Sequence, residues 1–527
     1  MKPMRERSWW GWGWADQALD ARDCEALADR VRPFLPLDGD LTPVPDLGSV
    51  RLPAPRVRPP ASLEALCDLS ATARTAHTYG KAYRDVVRAL RGDLGPAPDL
   101  VAYPRDELDV TALLDWATSH GVAVVPFGGG TSVVGGVECR DRSRPVVSMD
   151  LRRLQGVAEV DEVSRAARIR AGTFGPAIED ELRPYGLTLR HFPQSFEFST
   201  MGGWIATRAG GHYATGPTHI DDLVEAVRAV TPVGVAGSLR VPASAAGPDP
   251  DRMWLGSEGT LGVITEAWVR VQHRPRFVSG NAVSFPEYDD AVEAIREVAQ
   301  SGLQPANCRL LDPLESMLGA DATDGSSRLL LSFESADHEV HAALARAVEI
   351  CLGHRGRTEK STSDSLAPDS LFRWRGAFLR APYLRDGLAR LGVVVETFET
   401  ACTWAGFASL HAAVVEAVSA AGLRVTGVPA VVGCRFTHVY PDGPAPYFTV
   451  YAAGRRGAEV EIWDQLKVAA SEAIVAHGGT ITHHHAVGRD HRPWYDRERP
   501  EPFAVALRAA KAALDPAGIL NPGVLVG

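Results

Sequence analysis

The chain reads as an α+β protein of several domains, and three observations carry that reading. Its 527 residues are too many for one hydrophobic core. Between Val101 and Gln272 apolar strands alternate with helices, and glycine-rich turns punctuate them. From Phe277 a strand–helix–strand succession with long amphipathic helices suits an antiparallel sheet covered by helices.

Taken in order, residues 1–95 read as a helical N-terminal region with Pro-rich connections around Pro53, Pro55, Pro59 and Pro60. Residues 96–275 form the next unit. From Asp106 to His120, Leu108, Val110, Leu113, Leu114 and Trp116 recur at helical spacing, and Gly121 stops the helix. A buried strand over 122–127 runs into three glycines. Further strands are expected at 146–151, 166–171, 223–230 and 261–272, with a helix near 176–184.

Residues 276–435 read as a cap. Strands at 277–285, 305–312 and 329–333 alternate with helices at 288–300 and 337–353. A polar loop over 361–368 precedes helices at 371–391 and 407–421. Residues 436–527 are expected to complete the active site and return to the second unit. Strands 435–440 and 447–453 join across Pro441-Asp442-Gly443, a helix covers about 458–478, another spans 502–514, and a turn-rich tail closes the chain.

Bulk properties exclude several classes. The formal net charge is −10 with no basic block, which argues against nucleic acid. Seven scattered cysteines without a CxxC fit a reducing, cytoplasmic compartment. Only Lys2, Lys81, Lys360, Lys467 and Lys511 are lysines among 55 basic residues, a bias that fits GC-rich bacterial coding. No secretory h-region and no run of 18 apolar residues is present. Trp9, Trp10, Trp12 and Trp14 suit either a lipid interface or packing on the protein's own surface, and the second is preferred.

Four segments carry chemistry. Pro126 to Gly136 follows a strand with Gly128, Gly129 and Gly130. Bare backbone amides there, with Thr131 and Ser132, make an anion nest without the lysine of a Walker loop. Gln194 to Gly211 and Gly256 to Thr265 again crowd glycines and small hydroxyls together. Three such segments argue for one large phosphate-bearing cofactor. The fourth is His483-His484-His485, which concentrates proton-transfer and anion-binding groups. On an extended segment only His483 and His485 would face one ion, and His491 is the one nearby addition, so no metal is expected.

These segments resemble the three FAD-binding stretches of the vanillyl-alcohol-oxidase/p-cresol-methylhydroxylase flavoproteins. Within that superfamily the chain resembles the alkylglycerone-phosphate synthase family, from about residue 100 to its end. GGGTSV, SFEFSTMGGWIATRAGG, GSEGTLGVITEA, CRLLDP, PYLRD, ETFET, the CRFTHVY/PYF hairpin and GGTITHHHAVG carry the likeness. The resemblance implies a two-subdomain FAD-binding fold with an antiparallel-sheet cap and a helical N-terminal extension.

It also implies FAD contacts from Phe127, Gly128, Gly129, Gly130, Thr131, Ser132 and Val133. In the second segment it implies Gln194, Ser195, Phe196, Glu197, Phe198, Ser199, Thr200, Thr207, Arg208, Ala209 and Gly210. In the third it implies Glu258, Gly259, Thr260, Leu261, Gly262, Val263 and Ile264. No histidine stands in 127–130, so the FAD is expected to be non-covalent.

The implied activity exchanges the acyl chain of acyl-dihydroxyacetone phosphate for a long-chain alcohol, forming an ether without net redox change. Tyr447 matches the family's proton-transfer tyrosine. His483, His484 and His485 would assist it and bind phosphate, Arg309 would lie near flavin N5, and Arg385 would hold the substrate phosphate. Glu396 and Glu399 are expected to orient neighbours without a catalytic role. The partners implied are lipid substrates, with peripheral membrane contact and a homodimer left open. The alternative is an FAD-linked oxidase or dehydrogenase of a 2-hydroxy acid, which shares the first and third motifs. Such enzymes often carry a His-x6-His metal pair that is not convincing here. A flavin-binding module without catalysis is opposed by Tyr447 and the histidine run.

Overall fold

The computed structural model describes residues 5–138, 140–213, 215–320, 324–358 and 369–526; the polar loop expected at 361–368 lies outside them. Parallel strands Leu100–Ala102, Val146–Asp150 and Ala123–Phe127 build a first sheet, with Cys67–Asp68 antiparallel at its edge. Helix Glu107–His120 provides the crossover. Asp106 caps it by accepting from Asp109 N–H, and Gly121 ends it at φ +63°. A second, antiparallel sheet runs Val157–Asp161, Ala166–Arg170, Val263–Arg270, Val224–Thr231, Gly234–Gly237. Both sheets share one core that includes Leu113, Met149, Ile169, Trp204 and Val263.

The cap is a sheet of seven strands in the order Arg357–Thr358, Phe277–Phe285, Ser327–Ser335, Asn307–Leu311, Val431–Val439, Pro444–Ala453, Val393–Glu399. Side chains alternate across it. Leu310, Phe398, Cys434, Phe436, Phe448 and Val450 enter the core beneath helices Tyr288–Gln300, Trp404–Thr426 and Glu459–Ala476. Arg309, Thr397, Arg435, Tyr447 and Thr449 have the opposite parity and face a cavity. Helix Trp404–Thr426 is apolar and long enough to cross a membrane by length and composition. Here it lays Phe407, Leu410, Val414 and Val418 against the cap sheet.

Several elements depart from the sequence reading. The boundary expected between 435 and 436 falls inside strand Val431–Val439, so the cap sheet draws on both flanking segments. Strand Val393–Glu399 and helices Met201–Thr207 and Pro313–Ala320 were not expected. The tail returns to the first sheet: Leu520 bridges Val124 in parallel, extending its edge by one residue. The N-terminal tryptophans pack inward. Trp10 and Trp12 are buried, and the Trp12 backbone N–H donates to Asp386.

Candidate active site

A cavity of about 380 Å³ lies between the glycine segments and the polar face of the cap sheet. All seven residues from Phe127 to Val133 line it. Their glycines are dictated by close approach. A Cβ on Gly129 would overlap the Phe198 carbonyl oxygen, and one on Gly128 would overlap the Thr200 hydroxyl. The first and second segments therefore touch backbone to backbone. Gln194, Ser195, Ser199, Thr200, Thr207, Ala209 and Gly210 continue the lining, followed by Glu258, Gly259, Gly262 and Ile264.

Other residues expected at the cofactor sit outside the lining, each for a visible reason. Phe196 stacks on Trp204, with centroids 6.3 Å apart. Glu197 accepts from Trp14 Nε1 at 2.8 Å. Phe198 is wedged edge-on between Trp12 and Trp14. Arg208 pairs with Asp221 at 2.7 Å. The Thr260 hydroxyl donates to the Ser257 carbonyl at 2.7 Å. Leu261 and Val263 belong to the core. These residues shape the cradle from behind.

On the cap side three residues stand in register across neighbouring strands: Glu399 opposite Tyr447, and Tyr447 opposite Arg435. The Arg435 guanidinium lies 3.9 Å from the Tyr447 ring centroid, and its Nη1 donates to Glu315 at 2.9 Å and Thr449 at 3.2 Å. Burial raises the Tyr447 pKa, with Arg435 opposing, so the resting group is a phenol. Arg309 is buried beside them and donates from Nη2 to the His212 carbonyl at 2.6 Å. Burial, then repulsion from Arg435, lowers its pKa to about 9. Arg385 reaches the wall with its fork shared between Asp386 and the Lys81 carbonyl.

Two carboxylates from different parts of the fold hold the histidine segment. Glu399 accepts the backbone N–H groups of His483, of His484 at 3.1 Å and of His485 at 2.8 Å, and the Thr482 hydroxyl at 2.8 Å. Burial alone would raise its pKa. The His485 and His483 rings and these donors outweigh burial and hold it at about 2. Glu258 accepts Val487 N–H at 3.0 Å and Gly488 N–H at 2.8 Å. Burial pushes its pKa up to about 7.

His484 and His485 line the cavity, whereas His483 points away from it. His483 Nε2 meets the Tyr440 hydroxyl at 2.8 Å and His219 Nε2 at 3.1 Å. Burial and the neighbouring histidines lower the pKa values of His483 and His484 well below the ordinary range, so both rings are neutral. His491, the metal-ligand addition considered from sequence, turns its Nδ1 to the Ala486 carbonyl at 2.9 Å. His438 and His219 come to the run instead. The ligating atoms of His438, His483 and His484 fall within 4.8 Å of one another, as do those of Glu399, His484 and His485. In the first trio His438 Nε2 is engaged by the Gly211 carbonyl, and both nitrogens of His483 are engaged.

Comparison with known proteins decides the family. Residues 98–237 match the family described as FAD binding domain, and residues 274–525 match FAD linked oxidases, C-terminal domain. The chain is 32% identical to an alkyldihydroxyacetonephosphate synthase of Trypanosoma brucei brucei over 504 residues, covering 90% of this chain and 82% of that protein. The chain belongs to the alkyldihydroxyacetonephosphate synthase family. A solved alkyldihydroxyacetonephosphate synthase superposes with a TM-score of 0.81 at 26% identity, covering 98% of each chain. A substrate-bound p-cresol methylhydroxylase superposes with a TM-score of 0.67 at 15% identity, covering 87% of this chain and 93% of that one, which shows the shared fold. As a synthase-family member the chain binds FAD, and the glycine-lined cradle fits that cofactor.

Sequence reading missed Arg435, Glu315, His219, His438 and Tyr440. Arg435, His438 and Tyr440 lie in the CRFTHVY hairpin stretch, so a signal was present for them. His219 had none, because it meets His483 from 264 residues away.

Proposed function

We propose that this synthase-family protein exchanges the acyl chain of acyl-dihydroxyacetone phosphate for a long-chain alcohol, giving an ether without net redox change. The observation that carries this reading is the Glu399–Tyr447–Arg435 register beside the cavity-lining His484. FAD would be held non-covalently by the glycine segments and would supply N5 as the nucleophile and electron store. The chain's own residues supply the rest. His484, neutral and facing the cavity, accepts the C1 proton, and Tyr447, held as a phenol, donates a hydrogen bond or a proton to oxygen. Arg309 and Arg435 place two guanidinium groups along one wall and favour negative charge developing there. Arg385 is the phosphate ligand of this scheme, and a phosphate there would share its fork with Asp386. Leu318, Phe378, Leu384 and Leu388 give the same cavity an apolar side suited to an alkyl chain.

The test supplies purified yellow protein with palmitoyl-dihydroxyacetone phosphate and hexadecanol, without an electron acceptor. Mass spectrometry should find alkyl-dihydroxyacetone phosphate and free palmitate in equal amounts. No ether product, with flavin bleaching by a 2-hydroxy acid, would replace this reading by a dehydrogenase.

A further inference from the structure

A continuous hydrogen-bonded file leaves the cavity through the histidine run. His484 Nδ1 meets His483 Nδ1 at 3.1 Å. His483 Nε2 meets the Tyr440 hydroxyl at 2.8 Å, and that hydroxyl meets Thr218 Oγ1 at 3.1 Å. His219 Nε2 lies beside the same His483 nitrogen at 3.1 Å. Tyr440 and His219 are both partly exposed, so the outer end of the file reaches solvent. The inner end is His484 Nε2, which takes no partner among the described residues while its ring lines the cavity.

We infer that His483 and Tyr440 form a proton relay that carries the substrate's proton from His484 to solvent and returns one in the second half of the reaction. The inference rests on the synthase reading above.

The file has two self-consistent proton arrangements, because one hydrogen serves each contact. In the first, His484 Nδ1–H donates to His483 Nδ1, the Tyr440 oxygen accepts both His483 Nε2–H and the Thr218 hydroxyl, and the Tyr440 O–H is turned to solvent. His484 Nε2 then presents a lone pair to the cavity. The C1–H bond breaks with its electron pair left on carbon, and the proton bonds to His484 Nε2. The Nδ1 proton moves to His483 Nδ1, the His483 Nε2 proton moves to the Tyr440 oxygen, and the former Tyr440 proton leaves to water. The second arrangement results. Every ring is neutral again, and one proton has entered as one has left. Reversing the file returns a proton to the cavity.

The surroundings make such a file useful. Burial leaves a proton held on His484 poorly solvated and the Arg435 and Arg309 guanidiniums repel it, and the Glu399 carboxylate 3.9 Å from its Nδ1 does not outweigh them. Passing the proton outward avoids a standing imidazolium. The backbone staples from Glu399 hold the two rings in one geometry while protons shift.

Tyr440 and His483 act through His484, so they are positioning residues, and the test needs a readout that a packing role would not move. Ether formation is measured in wild type, Tyr440→Phe and His483→Gln at saturating substrates, with and without added imidazole. Tyr440→Phe keeps the ring, and His483→Gln keeps hydrogen-bonding capacity, yet neither passes a proton. The expected result is a kcat lowered by about tenfold or more, unchanged KM for both substrates, full flavin absorbance, and recovery of rate with imidazole. Wild-type kcat in both variants, or a loss indifferent to imidazole, overturns the relay while leaving the synthase reading intact. A wild type that forms no ether overturns both.

Discussion

Glu399 stands opposite Tyr447 on adjoining strands and turns its carboxylate onto the backbone of the histidine segment, accepting the N–H groups of His483, His484 and His485 in succession. One strand thereby sets both the tyrosine's neighbour and the loop that faces it. Glu399 is fully buried, and four donors converge on two oxygens. A carboxylate meets that demand, and a carboxamide, with one oxygen and an NH2, does not.

Glu399→Gln should therefore loosen residues 482–485, lower ether formation by at least about tenfold and leave flavin absorbance in place, since Glu399 does not line the cavity. The pH dependence has a definite sign. Its folded pKa of about 2 lies below the ordinary 4.5, so its stabilisation is present above that ordinary value and is lost as pH falls toward 2. Thermal melting of the wild type should decline across that window, and the Gln variant should be flatter there. Parallel curves for the two proteins would count against the assignment.

Gly129 tests the cradle without touching the chemistry. An added Cβ overlaps the Phe198 carbonyl, a backbone atom that cannot swing aside. Gly129→Ala must separate the first and second segments, so the purified variant should be colourless, or should lose FAD on gel filtration. A yellow variant with wild-type retention would mean that the cofactor does not depend on this contact.

The unequal legibility of fold and site follows from where the information sits. Strand Phe277–Phe285 and helix Tyr288–Gln300 match their sequence bounds because alternation and helical periodicity are local signals. Strand Val393–Glu399 was missed because Val393-Val394-Val395 follows a long helix after one glycine, and period alone does not separate a short buried strand from a helix end. The glycine segments were legible because close backbone approach excludes every other residue. The partners of the histidine run were not. His438 and Tyr440 stand in the CRFTHVY hairpin stretch, which does not say that they meet the histidine run, and nothing in the neighbourhood of His219 signals its contact.

Tyr447 and Arg435 separate chemistry from architecture. Tyr447→Phe removes one hydroxyl and keeps the ring beneath the guanidinium, so ether formation should fall by on the order of 100-fold or more with little change in melting temperature. Arg435→Met leaves Glu315 without its partner in a site where both side chains are nearly buried. Breaking such a pair costs about 3 kcal/mol or more, so this variant should lose stability as well as activity. Differential scanning calorimetry beside the ether assay distinguishes the two patterns. Equal destabilisation in both variants would show that Tyr447 serves packing.

Trp12 extends the argument to the N-terminal segment, whose tryptophans the sequence favours as packing on the protein's own surface over a lipid interface. It is 6% exposed, lines the cavity, and meets Phe198 edge-on at 5.7 Å. The Phe198 carbonyl in turn is the atom that requires glycine at 129. Trp12→Ala should thus release residues 5–17 from the second flavin segment. A buried Trp→Ala change commonly costs about 3–5 kcal/mol, yet a terminal segment can open alone, so the global melting temperature should fall less than that figure implies. Hydrogen exchange should speed up across Arg7 to Trp14, and FAD should dissociate more readily. Unchanged protection with unchanged FAD retention would show that Trp12 only covers the cavity and does not support it.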